Sequence, residues 1–241
     1  RASYNHAAQI LLDYFWFSKK SEQRVKQYCH IVDDVMEQWA LGNFSGIVVM
    51  AHLGNWELAG QLFALRGREV VSVYRPIGTR GTRQALLKFR EASGMKVLAR
   101  EGAVLGMFRA LRSNSLLAMI LDQHTDVTDG GMYLDFFGVP ASFSKAAGTV
   151  AHRMNVPICA SVMQYDSDAD NYTLKAYQVI SSEEVARMTS EEITAQVVSV
   201  MSQMILDYPE QWLWMYRRWK RYRPDDDRSK FPFYAKLDGD G

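Results

Sequence analysis

His52 and Glu57 stand in the stretch Gly46-Ile-Val-Val-Met-Ala-His52-Leu-Gly-Asn-Trp-Glu57. An apolar run precedes the histidine and a Gly-Asn turn follows it, so the pattern predicts a strand, a tight turn and a helix reaching Leu65. His52 then sits at the carboxyl edge of a sheet, where open α/β folds hold their chemistry. Glu57, a turn or so into the helix, is expected to turn back and hold the imidazole. A histidine oriented by a carboxylate is the minimal general base for deprotonating a hydroxyl. Taken alone, the pair reads better as a half-buried histidine beside a surface glutamate. The surrounding chain decides.

Two more loops leave apolar runs in the same manner. One is Tyr74-Arg75-Pro76, followed by Arg80 and Arg83; the other is Asp122-Gln123-His124. Three such loops at one sheet edge converge on one cleft. Arg75 either pairs there with an anionic substrate or joins Arg80 and Arg83 in a solvated basic face. Asp122, by itself, reads as a carboxylate capping a neighbouring loop. No metal is expected: His-x4-Glu lacks the spacing of a zinc pair, and His124-x-Asp126 is weak alone. There is no Gly-x-Ser-x-Gly elbow. Cys29 and Cys159 lie in apolar surroundings and read as reduced core residues of a cytosol-facing protein.

The elements that must position these groups alternate. Strands are expected at Ile47–Ala51, Val70–Tyr74, Lys96–Ala99 and Leu116–Leu121, with helices at Trp56–Arg66, Thr82–Ser93 and Ala103–Arg112 between them. Before them come helices over Asn5–Phe17 and Ser21–Leu41. After them come a turn-rich segment from Asp126 to Pro140, a helix over Ser144–Met154, strands near Val156–Gln164 and Tyr172–Val179, and a helix opened by the Thr189–Glu192 capping box. The order implies an α/β fold of one domain, with a mainly parallel central sheet flanked by helices. Residues 1–45 are expected as N-terminal helices on the core, 46–224 as the core itself, and 225–241 as a loose tail. The first helix is apolar on so many sides that it is either deeply packed or dipped in lipid.

With 241 residues, 48% of them hydrophobic, the chain can bury a full core. A formal net charge of +1 gives no bulk attraction to nucleic acid. No apolar run approaches the roughly 18 residues needed to cross a bilayer. The chain begins at Arg1 rather than Met, so a targeting or membrane segment upstream stays open. From Tyr208 to Arg223, Trp212, Trp214 and Trp219 interleave with Arg217, Arg218, Lys220 and Arg221. That mixture suits single-stranded nucleic acid, an anionic headgroup layer, or tryptophans closing the core under solvated cations. The first two tryptophans read as packing and the basic end as an anion or membrane contact.

Four blocks in chain order resemble the bacterial lipid A biosynthesis acyltransferases, the lauroyl and myristoyl transferase family within the lysophospholipid acyltransferases. They are His52-Leu-Gly-Asn-Trp-Glu57; Val73-Tyr74-Arg75-Pro76; Leu121-Asp122-Gln123 with Phe136-Phe137-Gly138-Val-Pro140-Ala141; and Pro209-Glu-Gln-Trp212-Leu-Trp214-Met-Tyr-Arg-Arg218-Trp-Lys220. The resemblance covers most of the chain. It implies a fold like that of glycerol-phosphate acyltransferases. The implied activity is transfer of a fatty acyl group from a thioester of acyl carrier protein or coenzyme A to a hydroxyl of a lipid or glycolipid. His52 and Glu57 would be the base dyad, with Gly54 and Asn55 backbone N–H groups as oxyanion donors and Arg75 as the alternative donor. Asn55, Arg75, Asp122, Gln123, Phe136 and Phe137 would contact substrates, with no bound cofactor, no metal and no nucleic-acid partner. The implied location is the cytoplasmic side of the bacterial inner membrane. Members usually begin with a hydrophobic membrane segment that is absent here, which implies a truncated chain. Where many members carry a turn containing Thr and Pro, this chain has Ser142-Phe-Ser-Lys-Ala-Ala-Gly148, so the acyl-chain and acceptor contacts are not carried over. The rival readings are a thioesterase or metal-assisted hydrolase in the same cleft, and a non-catalytic lipid- or nucleic-acid-binding module.

Overall fold

Five consecutive residues, Gly46–Met50, are buried on both sides, and the molecule is layered around them. In a strand, neighbours point to opposite faces. Ile47 and Val49 accordingly enter one hydrophobic core and Val48 and Met50 another, on the two faces of one sheet. The computed structural model describes residues 1–74, 80–99 and 102–238; Arg75 lies outside them, as do the side chains of Arg80 and Arg83.

In chain order the elements are α1 (Ala2–Ser18), α2 (Ser21–Tyr28), β1 (Cys29–Ile31), α3 (Asp34–Leu41), β2 (Gly46–Met50), α4 (Trp56–Leu65), β3 (Val70–Tyr74), α5 (Arg80–Glu91), β4 (Lys96–Ala99), α6 (Ala103–Arg112), β5 (Leu116–Ile120), β6 (Gly131–Phe136), β7 (Val139–Ser144), α7 (Ala146–Met154), β8 (Ile158–Asp166), β9 (Asn171–Ile180), α8 (Ser182–Val185), α9 (Ser190–Asp207), β10 (Arg221–Tyr222) and β11 (Lys236–Leu237). Seven strands form one sheet in the order β1-β9-β8-β2-β5-β3-β4. Every neighbouring pair in it is parallel except β8 with β9. Residues of α4 pack on the Val48 face and residues of α6, α7 and α9 on the Ile47 face, as a sheet buried on both sides requires. This is the mainly parallel α/β sheet that the alternation predicts.

Three local expectations differ. The span Ser21–Leu41 is not one helix. Asp33 ends it by accepting from Met36 N at 2.8 Å as the cap of α3 and from Ala176 N at 2.8 Å on β9. That tie lays Cys29–Ile31 along the otherwise bare edge of β9. Helical spacing survives the break because Val25, Met36 and Trp39 still face the core. The turn-rich stretch before Pro140 is half of an antiparallel hairpin, β6 with β7, reversed at Phe137 (φ 59°) and Gly138 (φ 77°). Two successive positive φ values give the turn whose twist matches such a hairpin. Residues 225–238, expected to be loose, include buried Phe231 and Ala235, and Lys236–Leu237 pairs with Arg221–Tyr222.

Candidate functional site

Strands β2 and β5 are parallel neighbours in the register Met50↔Ile120. Two residues beyond each lies a polar side chain, His52 after β2 and Asp122 after β5. The register therefore sets them side by side: His52 Nδ1 lies 2.6 Å from Asp122 Oδ1. The other carboxylate oxygen accepts from His52 N at 3.0 Å and from Trp212 Nε1 at 2.8 Å. Since a carboxylate only accepts, Nδ1 carries the proton and Nε2 is the basic nitrogen. Nε2 faces Gln123, whose amide nitrogen is 3.4 Å away, and the Trp56 ring packs edge-on against the imidazole at 4.7 Å. Burial pushes the Asp122 carboxyl up. The His52 charge, with hydrogen bonds from its ring, its backbone and Trp212, outweighs that and holds it below the ordinary carboxylate range.

The turn between β2 and α4 depends on a glycine. Gly54 has φ +61°, and a Cβ there would come within 1.9 Å of Met163 O. The close approach lets Asn55 N donate to Met163 O at 2.8 Å, while Gly54 N donates to Gln211 O at 3.2 Å. Both N–H groups expected to form an oxyanion hole are thus spent inside the protein. Asn55 caps α4, its Oδ1 accepting from Leu58 N at 3.4 Å, and its amide nitrogen donates to Asp13 on α1 at 2.9 Å.

Glu57 does not turn back to His52. Held in the first turn of α4, it faces α5 and accepts from Arg90 Nε at 2.7 Å and Nη2 at 2.5 Å, and from Trp56 Nε1 at 3.1 Å. Both members of this pair are buried. Burial alone would lower the Arg90 pKa, but Glu57 keeps it raised. The physical reason is reach: the helix cap fixes the direction of residue 57, whereas the strand register brings Asp122 to the ring.

The remaining expected site residues scatter. Asp122 has no free oxygen left for a substrate. Phe136 is fully buried against Phe143, Trp212 and Trp219, with Phe137 half-buried beside it, so Phe136 is core rather than the wall of an open groove. Arg218, expected at a membrane or anion contact, is fully buried. It stacks 3.9 Å over Phe143, donates to Ser142 O at 2.8 Å, and has its pKa lowered by burial to about 10. Arg217 is exposed and Lys220 half-buried, their cations over the rings of Tyr234 and Tyr216. Arg221 is in β10, with Nη1 donating to Leu237 O at 3.4 Å. Trp212 is core, as expected, and also a donor to the site; Trp214, expected to pack as well, is instead exposed, its indole donating to Pro209 O at 2.6 Å. The Arg90 and Trp212 contacts lie 33 and 90 residues apart in the chain, and local spacing carries no sign of them. Among the described residues no group of three His, Cys, Asp or Glu is placed to hold a metal, and no helix is long and apolar enough to cross a membrane.

The chain is 20% identical over 190 residues to phosphatidylinositol mannoside acyltransferase of Mycobacterium tuberculosis, in each of two strains, CDC 1551 / Oshkosh and ATCC 25618 / H37Rv. The match covers 77% of this chain and 58% of each relative, so the chain spans little more than half their length. The family model described as bacterial lipid A biosynthesis acyltransferase matches residues 1–221. The chain belongs to the bacterial lipid A biosynthesis acyltransferase family.

Proposed function

We propose that this chain carries the catalytic core of a membrane-associated O-acyltransferase. It would move a fatty acyl group from a thioester of acyl carrier protein or coenzyme A to a hydroxyl of a lipid or glycolipid acceptor, such as a lipid A precursor. The observation that carries the reading is the 2.6 Å contact between His52 Nδ1 and Asp122, which leaves Nε2, faced by the Gln123 amide at 3.4 Å, as the base at the sheet edge. Family membership and a relative named for acylating a glycolipid support the substrate class.

In the reaction, Nε2 removes the proton of the acceptor hydroxyl as its oxygen attacks the thioester carbonyl. The C–O bond forms, the carbonyl oxygen becomes anionic, and Asp122 stabilises the imidazolium. Collapse breaks the C–S bond, and the imidazolium returns the proton to the leaving sulfur. General-base help of this kind is typically worth about 10²–10⁴-fold. With the Gly54 and Asn55 N–H groups spent, the Gln123 amide, now 3.4 Å from Nε2, is the nearby donor that would turn to the oxyanion when the acceptor hydroxyl takes its place at the ring. An apolar cavity of about 40 Å³, lined by Met50, Trp56, Gly60, Phe63 and Met95 among others, lies on the Glu57 side of the sheet. An apolar cavity of about 150 Å³ takes up benzene, so an acyl chain could enter this one only if side chains such as Met95 swing aside. The reading carries with it a place at the cytoplasmic face of the inner membrane.

The test is acyl transfer by wild type and His52→Ala, given both thioesters and extracted inner-membrane lipids, with products read by mass spectrometry. A new acylated lipid made by wild type and lost in the variant is the expected result. Identical products from both proteins would remove His52 from the chemistry. Release of free fatty acid by wild type, with no acylated lipid, would point to a thioesterase.

A further inference from the structure

Helix α1 has one face fully engaged and one face bare. On the engaged face Ala7, Ile10 and Phe17 are buried, Ser3 Oγ donates to Trp212 O at 2.6 Å, and Asp13 Oδ2 accepts from Asn55 and from the Tyr172 hydroxyl. These contacts hold both sides of the catalytic turn. Asn55 belongs to it, and the Trp212 segment pairs with it through Leu213 N to His52 O at 3.0 Å and Gly54 N to Gln211 O at 3.2 Å.

The bare face carries Tyr4, Leu11, Leu12, Phe15 and Trp16, with Leu12 68% and Phe15 76% exposed. Tyr4, Leu11 and Phe15 follow helical spacing along one stripe of a 17-residue helix, about 25 Å long. Its charges are sorted. The only carboxylate in α1, Asp13, is turned inward to Asn55 and Tyr172, while Arg1 precedes the helix and Lys19 and Lys20 follow it. Arg24 stacks on Trp16 at 3.5 Å. Exposed Trp214 and Met215 continue from the Trp212 segment that Ser3 holds. Aromatic and aliphatic side chains on the exposed face of α1, cations at both ends and no outward acid on the helix match an anionic headgroup layer, where such helices lie in the plane of the interface.

We propose that α1 is the surface on which this protein rests on an anionic lipid layer, and that the Asp13–Asn55 bond makes this seat a support of the catalytic turn. Asp13 is thereby a positioning residue for His52, acting through Asn55 and the Gly54 turn. The coupling to catalysis rests on the acyltransferase reading; the lipid contact does not.

The test uses vesicle flotation without substrate, on the chain as it stands, with phosphatidylcholine alone or mixed with phosphatidylglycerol. Wild type should float with the mixed vesicles and less with the neutral ones. A Leu11→Glu/Phe15→Glu variant, altered only at exposed positions, should unfold at the wild-type temperature and lose vesicle binding at least tenfold. Asp13→Ala should float like wild type, yet lose kcat several-fold at unchanged thioester KM, with partial recovery in Asp13→Asn. Absence of wild-type flotation, or flotation untouched by the paired glutamates, would overturn the lipid contact. So would a wild-type dimer that those glutamates split, because a second copy would then own the face. Wild-type kcat in Asp13→Ala would overturn the coupling alone. Flotation as expected with no acyl transfer by wild type would leave the seat standing and remove the acyltransferase reading.

Discussion

The two ends of the block from His52 to Glu57 hold the same pair of charge types in different roles. At one end a carboxylate from a neighbouring strand, Asp122, grips the imidazole and leaves the other ring nitrogen facing Gln123. At the other, Glu57 is consumed by Arg90 in a buried bidentate pair, with Trp56 completing it. Neighbours in a motif need not be partners in space. A strand end pointing at the next strand end orients a histidine, and a helix start pointing at the next helix makes a brace. The brace still matters to the site, because it fixes Trp56, which packs on His52.

The largest expected effect is at the ring. His52→Ala should lower kcat by about 10²–10⁴-fold with little change in melting temperature. A fall in stability to match would make His52 a structural residue instead. Next comes the brace. Glu57→Gln leaves the Arg90 charge buried without its counter-ion, and breaking such a pair costs about 3–5 kcal/mol. Urea denaturation should show that loss; a stable but inactive Glu57→Gln would return Glu57 to the chemistry. Smaller is Trp212→Phe, which keeps the bulk and removes the donor to Asp122. A hydrogen bond to a charged group is worth about 1.5–3 kcal/mol, so kcat should fall about tenfold or more. Unchanged kcat would confine the indole to packing.

Much of the fold was open to reading because the central strands of a parallel sheet are continuous apolar runs, and β2 and β5 announce themselves that way, while β3 carries one serine and the edge strand β4 is short and opens on Lys96. What stayed hidden is non-local. The break at Asp33 depends on Ala176, and the partner of His52 depends on the Met50↔Ile120 register. That register had a legible trace, a polar residue two positions past each of two apolar runs. Tandem cations gave no such trace for Arg218, since burial under the β6–β7 hairpin is decided by Ser142 and Phe143.

The smallest effect is in pH. Asp122 is held low, so the stability it contributes is complete above the ordinary carboxyl value of about 3.9 and is lost as pH falls through its folded value. Asp13 is raised by burial, against hydrogen bonds from Tyr172 and Asn55, and works in the opposite direction. Its folded form favours the proton, and that contribution is lost as pH rises through the folded value. Relative to wild type, Asp13→Asn should therefore be more favourable at about pH 7 than at about pH 4, whereas Asp122→Asn should cost the same at both and become less unfavourable only as pH falls below about 3.9. Parallel pH dependences in the two variants would void the contrast.

The comparison turns on one pair of proteins, Asp122→Asn and the double replacement Glu57→Leu/Arg90→Met, assayed for kcat with a thioester donor and a glycolipid acceptor. Exchanging a buried ion pair for apolar groups is often neutral for stability. The expected outcome is a loss of about 10²-fold or more in Asp122→Asn and near wild-type turnover in the double variant. A dead, folded double variant beside an active Asp122→Asn would contradict the assignment and make Glu57 the partner of His52.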